Sequence, residues 1–229
     1  MELHKIQMII LRELLFKPNA RFSDLNIVGL SNDHFSYHIR TLVQMGLVTK
    51  NTTRYSLSAE GKSFAIRIDT DTATLEKQSK SSVLLIPEIM TEKEEVTFAV
   101  QKRLKEPYYG YHGFMTGKIR FGETVLEAAA RELREEMGLT GIYEHLFVLH
   151  EMVYSQSGDM LEDKFFHIVR VNNIEGELQR KIEGGENIIV TEKEFYKMSP
   201  IYHNEIKIFE WYKSGQRSFI EEKYFIESF

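Results

Sequence analysis

Residues 117–139 read GKIRFGETVLEAAARELREEMGL, and they constrain the fold more than any other part of this 229-residue chain. Thr124 and Glu127 form a T-x-x-E capping box, which predicts a helix starting at Thr124, and Gly138 is the residue type that ends a helix in the left-handed conformation. At about 100° per residue, Leu126, Ala130, Leu133 and Met137 share one stripe that must face a core, with Glu132, Glu135 and Glu136 on the other side. Three carboxylates within one turn repel one another unless cations neutralise them. Oxygen ligands without histidine or thiolate suit a hard divalent cation, Mg2+ with Mn2+ as the alternative, whose octahedral shell is completed by water and a substrate phosphate. A solvated helix face would also accept the run RELREE. The glycine at 117, Glu123 at the loop-to-helix junction and Gly138 at the far end favour a polyphosphate site instead.

The segment fills all nine specified positions of G-x5-E-x7-R-E-U-x-E-E-x-G-U, where U is aliphatic, and so resembles the defining motif of the Nudix hydrolase family. The resemblance implies an α/β/α sandwich with a mixed sheet, and hydrolysis of a nucleoside diphosphate linked to another moiety. It implies that Glu132, Glu135 and Glu136 bind the metal, that the Thr116 carbonyl adds a ligand, and that Arg131 orients one of the carboxylates. Gly117, Glu123 and Gly138 would shape the loop-helix-loop platform. Family members commonly enter this motif through Pro-Gly-Gly; here the entry is Met115-Thr116-Gly117, so two side chains stand where the backbone usually approaches the metal. Glu183, in KIEGGEN before an expected strand at 188–190, resembles the family's late catalytic glutamate, with Glu186 or simple solvation as alternatives. In the aromatic run at 108–114, Tyr109 and Tyr111 are candidates for stacking a base, against the alternative that such rings pack in a core. Arg120 could meet a substrate phosphate or simply be solvated.

Charge divides the chain: residues 1–69 carry nine Lys/Arg against six Asp/Glu, whereas the remainder carries 20 against 28. That asymmetry suggests two modules. In the first, Ile6, Ile9, Ile10, Leu14 and Leu15 keep a helical period that stops before Pro18, and a short helix is expected at 23–28. Ser31 caps a third helix with Phe35, Ile39, Leu42 and Val43 inward and Gly46 as its stop. Strands at 47–50 and 54–57 around Asn51-Thr52-Thr53 complete three helices and a hairpin.

The wording FSYHIRTLVQMGLVTKNTTRYSLSAEGK resembles the winged helix-turn-helix DNA-binding regulators. The resemblance places the third helix in the major groove of double-stranded DNA, with His34, Ser36, Tyr37, His38, Arg40 and Thr41 as readers and Lys50 and Arg54 on phosphates. The positive excess is small for nucleic acid, which leaves protein docking or dimerisation as the alternative.

The expected organisation is a two-domain α+β chain: a winged helix-turn-helix at 1–68, a linker at 69–82 (DTDTATLEKQSKSS) and the Nudix-like domain at 83–229. Strands are expected at 83–89, 96–103, 146–154 and 164–172, followed by a capping box at Thr191 and Glu194 and a helix at 203–213. The chain has no cysteine, which excludes disulfides and thiolate zinc and fits a cytoplasmic protein. No run approaches the length of a membrane span, and a homodimer is compatible with the sequence. Two functions fit. One is a magnesium-dependent hydrolase of a nucleoside diphosphate derivative. The other is a transcriptional regulator whose Nudix-like domain senses a nucleotide-like ligand such as an ADP-ribose compound, by analogy with regulators that carry these two folds in the opposite order. An intact set of metal ligands favours the enzyme.

Overall fold

The computed structural model describes residues 3–25 and 30–227, and the chain divides into two compact units, Met1–Lys77 and Gln78–Phe229. In the first unit, α1 (Lys5–Phe16) is capped by His4: its ring accepts the Ile6 N–H, and the Gln7 side chain accepts the His4 N–H. After β1 (Ala20–Arg21) comes α2 (Phe22–Leu25), which begins one residue before the expected helix at 23–28; residues 26–28 lie outside the described residues. Ser31 caps α3 (Asn32–Gln44), which buries Phe35, Ile39 and Leu42 as their spacing requires. The hairpin β2 (Val48–Asn51) and β3 (Arg54–Leu57) joins β1 in the order β1-β3-β2.

A further helix, α4 (Ala59–Ala65), was not expected, because Gly61 in its interior weakens the local signal. Tertiary packing explains that glycine, since a Cβ there would overlap the Leu47 carbonyl. The stretch at 69–82 is not one linker. Residues 69–77 group with the first unit, where the Asp69 carboxylate accepts the N–H groups of Asp71 and Thr72 and Ile68 bridges Leu75. Residues 80–82 already belong to β4 (Lys80–Met90).

The second unit continues with β5 (Val96–Arg103), β6 (His112–Gly113), β7 (Thr116–Lys118) and α5 (Val125–Met137). A long hairpin follows, β8 (Leu139–Ser155) and β9 (Met160–Gly176). The chain then forms β10 (Lys181–Ile182), β11 (Gly185–Thr191), α6 (Glu192–Phe195), α7 (Glu205–Lys213) and β12 (Ile220–Ile226). The sheet runs β10-β11-β5-β4-β9-β8-β12, with β6 on β5 and β7 on β4. It is mixed, because β4 with β9 and β8 with β12 are parallel while the other pairs are antiparallel.

Central β4 reads as a continuous apolar run because both faces of the sheet are covered. Val83 and Leu85 pack with Ala128, Ala129, Leu133 and Met137 of α5, whereas Leu84 and Ile86 pack with Phe195, Ile208 and Phe209 from α6 and α7. These layers make an α/β/α sandwich. The buried stripe of α5 differs from the expected one: Leu126 is 44% exposed, and Ala128 and Ala129 take the core side, where small side chains let the helix approach the sheet closely. The hairpin strands extend beyond the expected 146–154 and 164–172, because cross-strand pairing continues where one face is open and hydrophobic alternation is weak. Edge strand β12 was not expected at all; it is held parallel along β8.

Candidate functional site

Local chemistry builds the platform. Thr124 accepts the Glu127 N–H at 3.3 Å, and Glu127 returns the bond by accepting the Thr124 N–H at 2.8 Å. At the other end, Gly138 adopts φ +71°, the left-handed conformation that suits glycine. Between these caps, Arg131 joins the loop to the helix. Its guanidinium donates through Nε and Nη2 to the two oxygens of Glu123 at 2.7 and 2.8 Å, and through Nη2 to the Lys118 carbonyl at 2.9 Å. Nη1 reaches Glu132 at 2.6 Å and Glu135 at 3.2 Å. Planar, multi-donor recognition of this kind is specific to arginine.

The carboxyl of Glu123 is held down at about 2, first by Arg131 and then by the Arg120 N–H. A depressed carboxyl stabilises the fold above its unfolded pKa and loses that contribution as pH falls through the folded one. The advantage of wild type over Glu123→Gln in melting midpoint should therefore shrink between about pH 4.5 and pH 2. A constant difference across that window would sever Glu123 from the loop's stability.

Glu132 crosses Gly117 of β7 so closely that a Cβ on the glycine would overlap its Cγ and Cδ. Its pKa is raised, first by burial and further by the charges of Glu135 and Glu136, while Arg131 opposes the rise. Glu135 is more open and also meets Arg120 at 3.4 Å. Glu136 accepts from Gln101 Nε2 at 3.3 Å, and Gln101 also donates to buried Asn187. The Asn187 amide donates in turn to the Glu136 carbonyl at 2.7 Å and the Gln179 carbonyl at 2.8 Å, tying the end of α5 to β11. No three acidic or imidazole groups among the described residues converge as a set of metal ligands; Glu132 and Glu135 are turned to Arg131. The donor set is nevertheless all oxygen and mutually repulsive, which suits a hard dication.

Glu136 and Thr116 line a cleft of about 200 Å3 together with Gln101, Arg103, Tyr108, Glu151, Tyr202 and Glu205. Thr116 is paired with Leu84 through β7, and the preceding Met115 turns its side chain into the core against α5. Only one of the two side chains at the unusual entry therefore stands toward the site. Arg103 is engaged with its own loop, donating to the carbonyls of Lys105, Glu106 and Pro107.

The expected substrate contacts lie elsewhere: Tyr109 is 61% exposed, and neither it, Tyr111 nor Arg120 lines this cleft. Tyr108, Tyr111 and Tyr202 pack on one another at centroid distances of 5.3 to 5.8 Å, and two of the three pairs meet edge to face. Glu183 is exposed in the turn between β10 and β11, also outside the cleft lining, and Glu186 pairs across that turn with Lys181.

A NUDIX domain model matches residues 80–212. The chain belongs to the Nudix family. Two solved structures share the fold. The mutator MutT protein from Bacillus halodurans is 18% identical with a TM-score of 0.55, the match covering 66% of this chain and 93% of that one. The NUDIX domain of Shewanella oneidensis NrtR, complexed with ADP ribose, is 14% identical with a TM-score of 0.53, covering 69% and 98%. No curated protein matches the chain in sequence. Within the Nudix unit, the residues that sequence reasoning missed are Gln101, Asn187, Glu151 and Glu205. Each comes from a strand or helix other than α5, and no local motif marks them.

In the N-terminal unit, α3 and the β2–β3 turn flank an open groove of about 440 Å3 lined in part by Ser36, Arg40 and Lys50. His34, Tyr37 and Arg40 are exposed. His38 is not an outward residue: it is buried and its ring stacks on His4 at 4.6 Å, with its pKa lowered by burial and by His4 and His34. Arg54 donates to the Asn19 carbonyl at 2.8 Å, which ties β3 to the turn before β1. No helix among the described residues is long and apolar enough to cross a membrane.

Proposed function

We propose that the protein hydrolyses a nucleoside diphosphate linked to a second moiety, using Mg2+ held by Glu132, Glu135, Glu136 and the Thr116 carbonyl. The observation that carries this reading is that Glu136 of α5 and Thr116 of β7 line one cleft, with Glu132 and Glu135 on the same helix as Glu136. When bound, the dication would polarise the attacking water and offset charge developing on the phosphoryl oxygens. Arg131 holds Glu132 and Glu123 in register, so the loop and the helix present their carboxylates together. Gln101 and Asn187 position Glu136 and the end of its helix. Glu183 serves in this reading as the late acid or base. Magnesium-dependent release of products from a panel of dinucleotides and nucleotide sugars, abolished by a chelator, tests it; no turnover across the panel would sink it.

A second reading has one observation in its favour, the groove beside α3 with Arg40 and Lys50 exposed at its edge. The three helices and hairpin of the first unit would then act as a winged helix that binds an operator, under control of an ADP-ribose compound in the Nudix unit. Binding to DNA upstream of its own gene at physiological salt, with and without ADP-ribose, separates this from weak basic attraction. Equal affinity for random DNA would exclude it.

A further inference from the structure

Edge strand β12 is joined to the sheet by a side-chain contact as well as by its ladder. His150 of β8 lies between two carboxylates: its Nε2 is 2.8 Å from Asp163 Oδ1 on β9, and its Nδ1 is 2.9 Å from Glu221 Oε1 on β12. Phe165 stacks on the ring at 4.1 Å with planes inclined at 9°, so the plane in which both nitrogens meet their partners is fixed. A carboxylate only accepts and a neutral imidazole carries one N–H, so both bonds exist together only on an imidazolium. The arrangement selects the charged ring.

Burial opposes that charge, but the bonds with Glu221 and Asp163 together outweigh it and raise the His150 pKa above its ordinary 6.5. A raised folded value contributes stability that is present below the unfolded value and is lost as pH rises through the folded one. The other titratable side chains along this face have partners of their own: Lys223 of β12 lies over the Tyr154 ring, and His167 of β9 bonds to His145. When the proton leaves His150, one of its two bonds must go. The Asp163 side chain is 30% exposed and that of Glu221 58%, so water replaces the Glu221 bond more readily. The bond that goes is the one that reaches β12.

The rest of the attachment of β12 is one-sided. It is the last strand in the sheet order, so among the described residues only β8 pairs with its backbone. On its opposite face Glu222 meets Lys207 at 3.2 Å in a surface ion pair, the kind that contributes little. Tyr224 packs on His203 of the cleft at 4.6 Å, with its hydroxyl buried and unpartnered among the described residues. Burying that hydroxyl costs stability.

We propose that protonated His150 fastens β12 to the β8–β9 hairpin through Glu221, and that loss of the proton frees β12 from the sheet edge and withdraws Tyr224 from the cleft wall at His203. The fastening does not depend on what the cleft binds, so its failure leaves the hydrolase reading where it stands.

The test follows amide hydrogen exchange of β12 in the full chain as pH is raised, with protection corrected for the pH dependence of intrinsic exchange. The ring resonances of His150 and His203 are titrated separately. Protection of β12 is expected to fall about tenfold between about pH 6 and about pH 8, with the midpoint of the His150 titration, while the β4 core keeps its protection. Glu221→Gln should flatten this profile, because an amide can accept from the charged ring or donate to the neutral one. His150→Gln should leave β12 weakly protected at every pH. The wild-type comparison stands even if a variant does not fold. Constant β12 protection across the His150 midpoint, a loss that follows His203 instead, or a wild-type profile in Glu221→Gln would each overturn the proposal.

Discussion

Glu136→Gln is expected to lower kcat by about 10^2- to 10^3-fold, the scale found when one preorganised electrostatic group is removed from a transition state. The substitution keeps the shape of the side chain and a polar group for Gln101 to meet, but it removes the negative charge that faces the cleft. Its effect should fall on kcat more than on KM, because the charge matters most when the phosphoryl oxygens are gathering their own. Stability should hold or rise slightly, since one of three adjacent like charges is gone. Steady-state kinetics with saturating Mg2+ and a thermal melt read the two effects independently. Undiminished turnover in a correctly folded variant would place the metal chemistry elsewhere.

Gly117→Ala is expected to act on the same site from the opposite side. Any Cβ at this position overlaps Cγ and Cδ of Glu132, so the glutamate must swing away or β7 must shift off β4. Either movement disturbs the 2.6 Å bond from Arg131 to Glu132, and through that arginine the two bonds to Glu123. Overpacking of this type costs about 1–3 kcal/mol, and misplacing a catalytic group by about an ångström can cost about a hundredfold in rate. Gly122→Ala is the control: it lies in the same loop at φ +83° with nothing within 4 Å of the added methyl, so it adds backbone strain without touching Glu132. Chemical denaturation and kcat should separate the two variants. If Gly117→Ala keeps the stability and kcat of wild type, the contact with Glu132 is incidental.

The platform was legible in the sequence because its forces are local. A capping box spans four residues, the apolar and acidic sides of α5 follow from helical rotation, and Gly138 is chosen by a left-handed φ. Even there, rotation alone misassigned one face: Leu126 is turned to solvent, and Ala128 and Ala129 meet the sheet. The aromatic run at 108–114 was visible as composition, but composition does not say which ring faces a cleft. Tyr108 does so, together with Tyr202, from far along the chain.

The sequence by itself determined the Nudix motif, its helix and both caps, and the alternation of apolar and polar residues that marks most of the strands. Only the tertiary structure decided what surrounds that motif. Gln101 and Asn187 come from β5 and β11, and Glu151 and Glu205 from β8 and α7, to form the walls of one cleft. The reason is physical: helix caps and periodicity are set by neighbours within a few residues, whereas a buried carboxyl acquires its partners and its pKa from strands and helices whose order in the sheet no local pattern encodes.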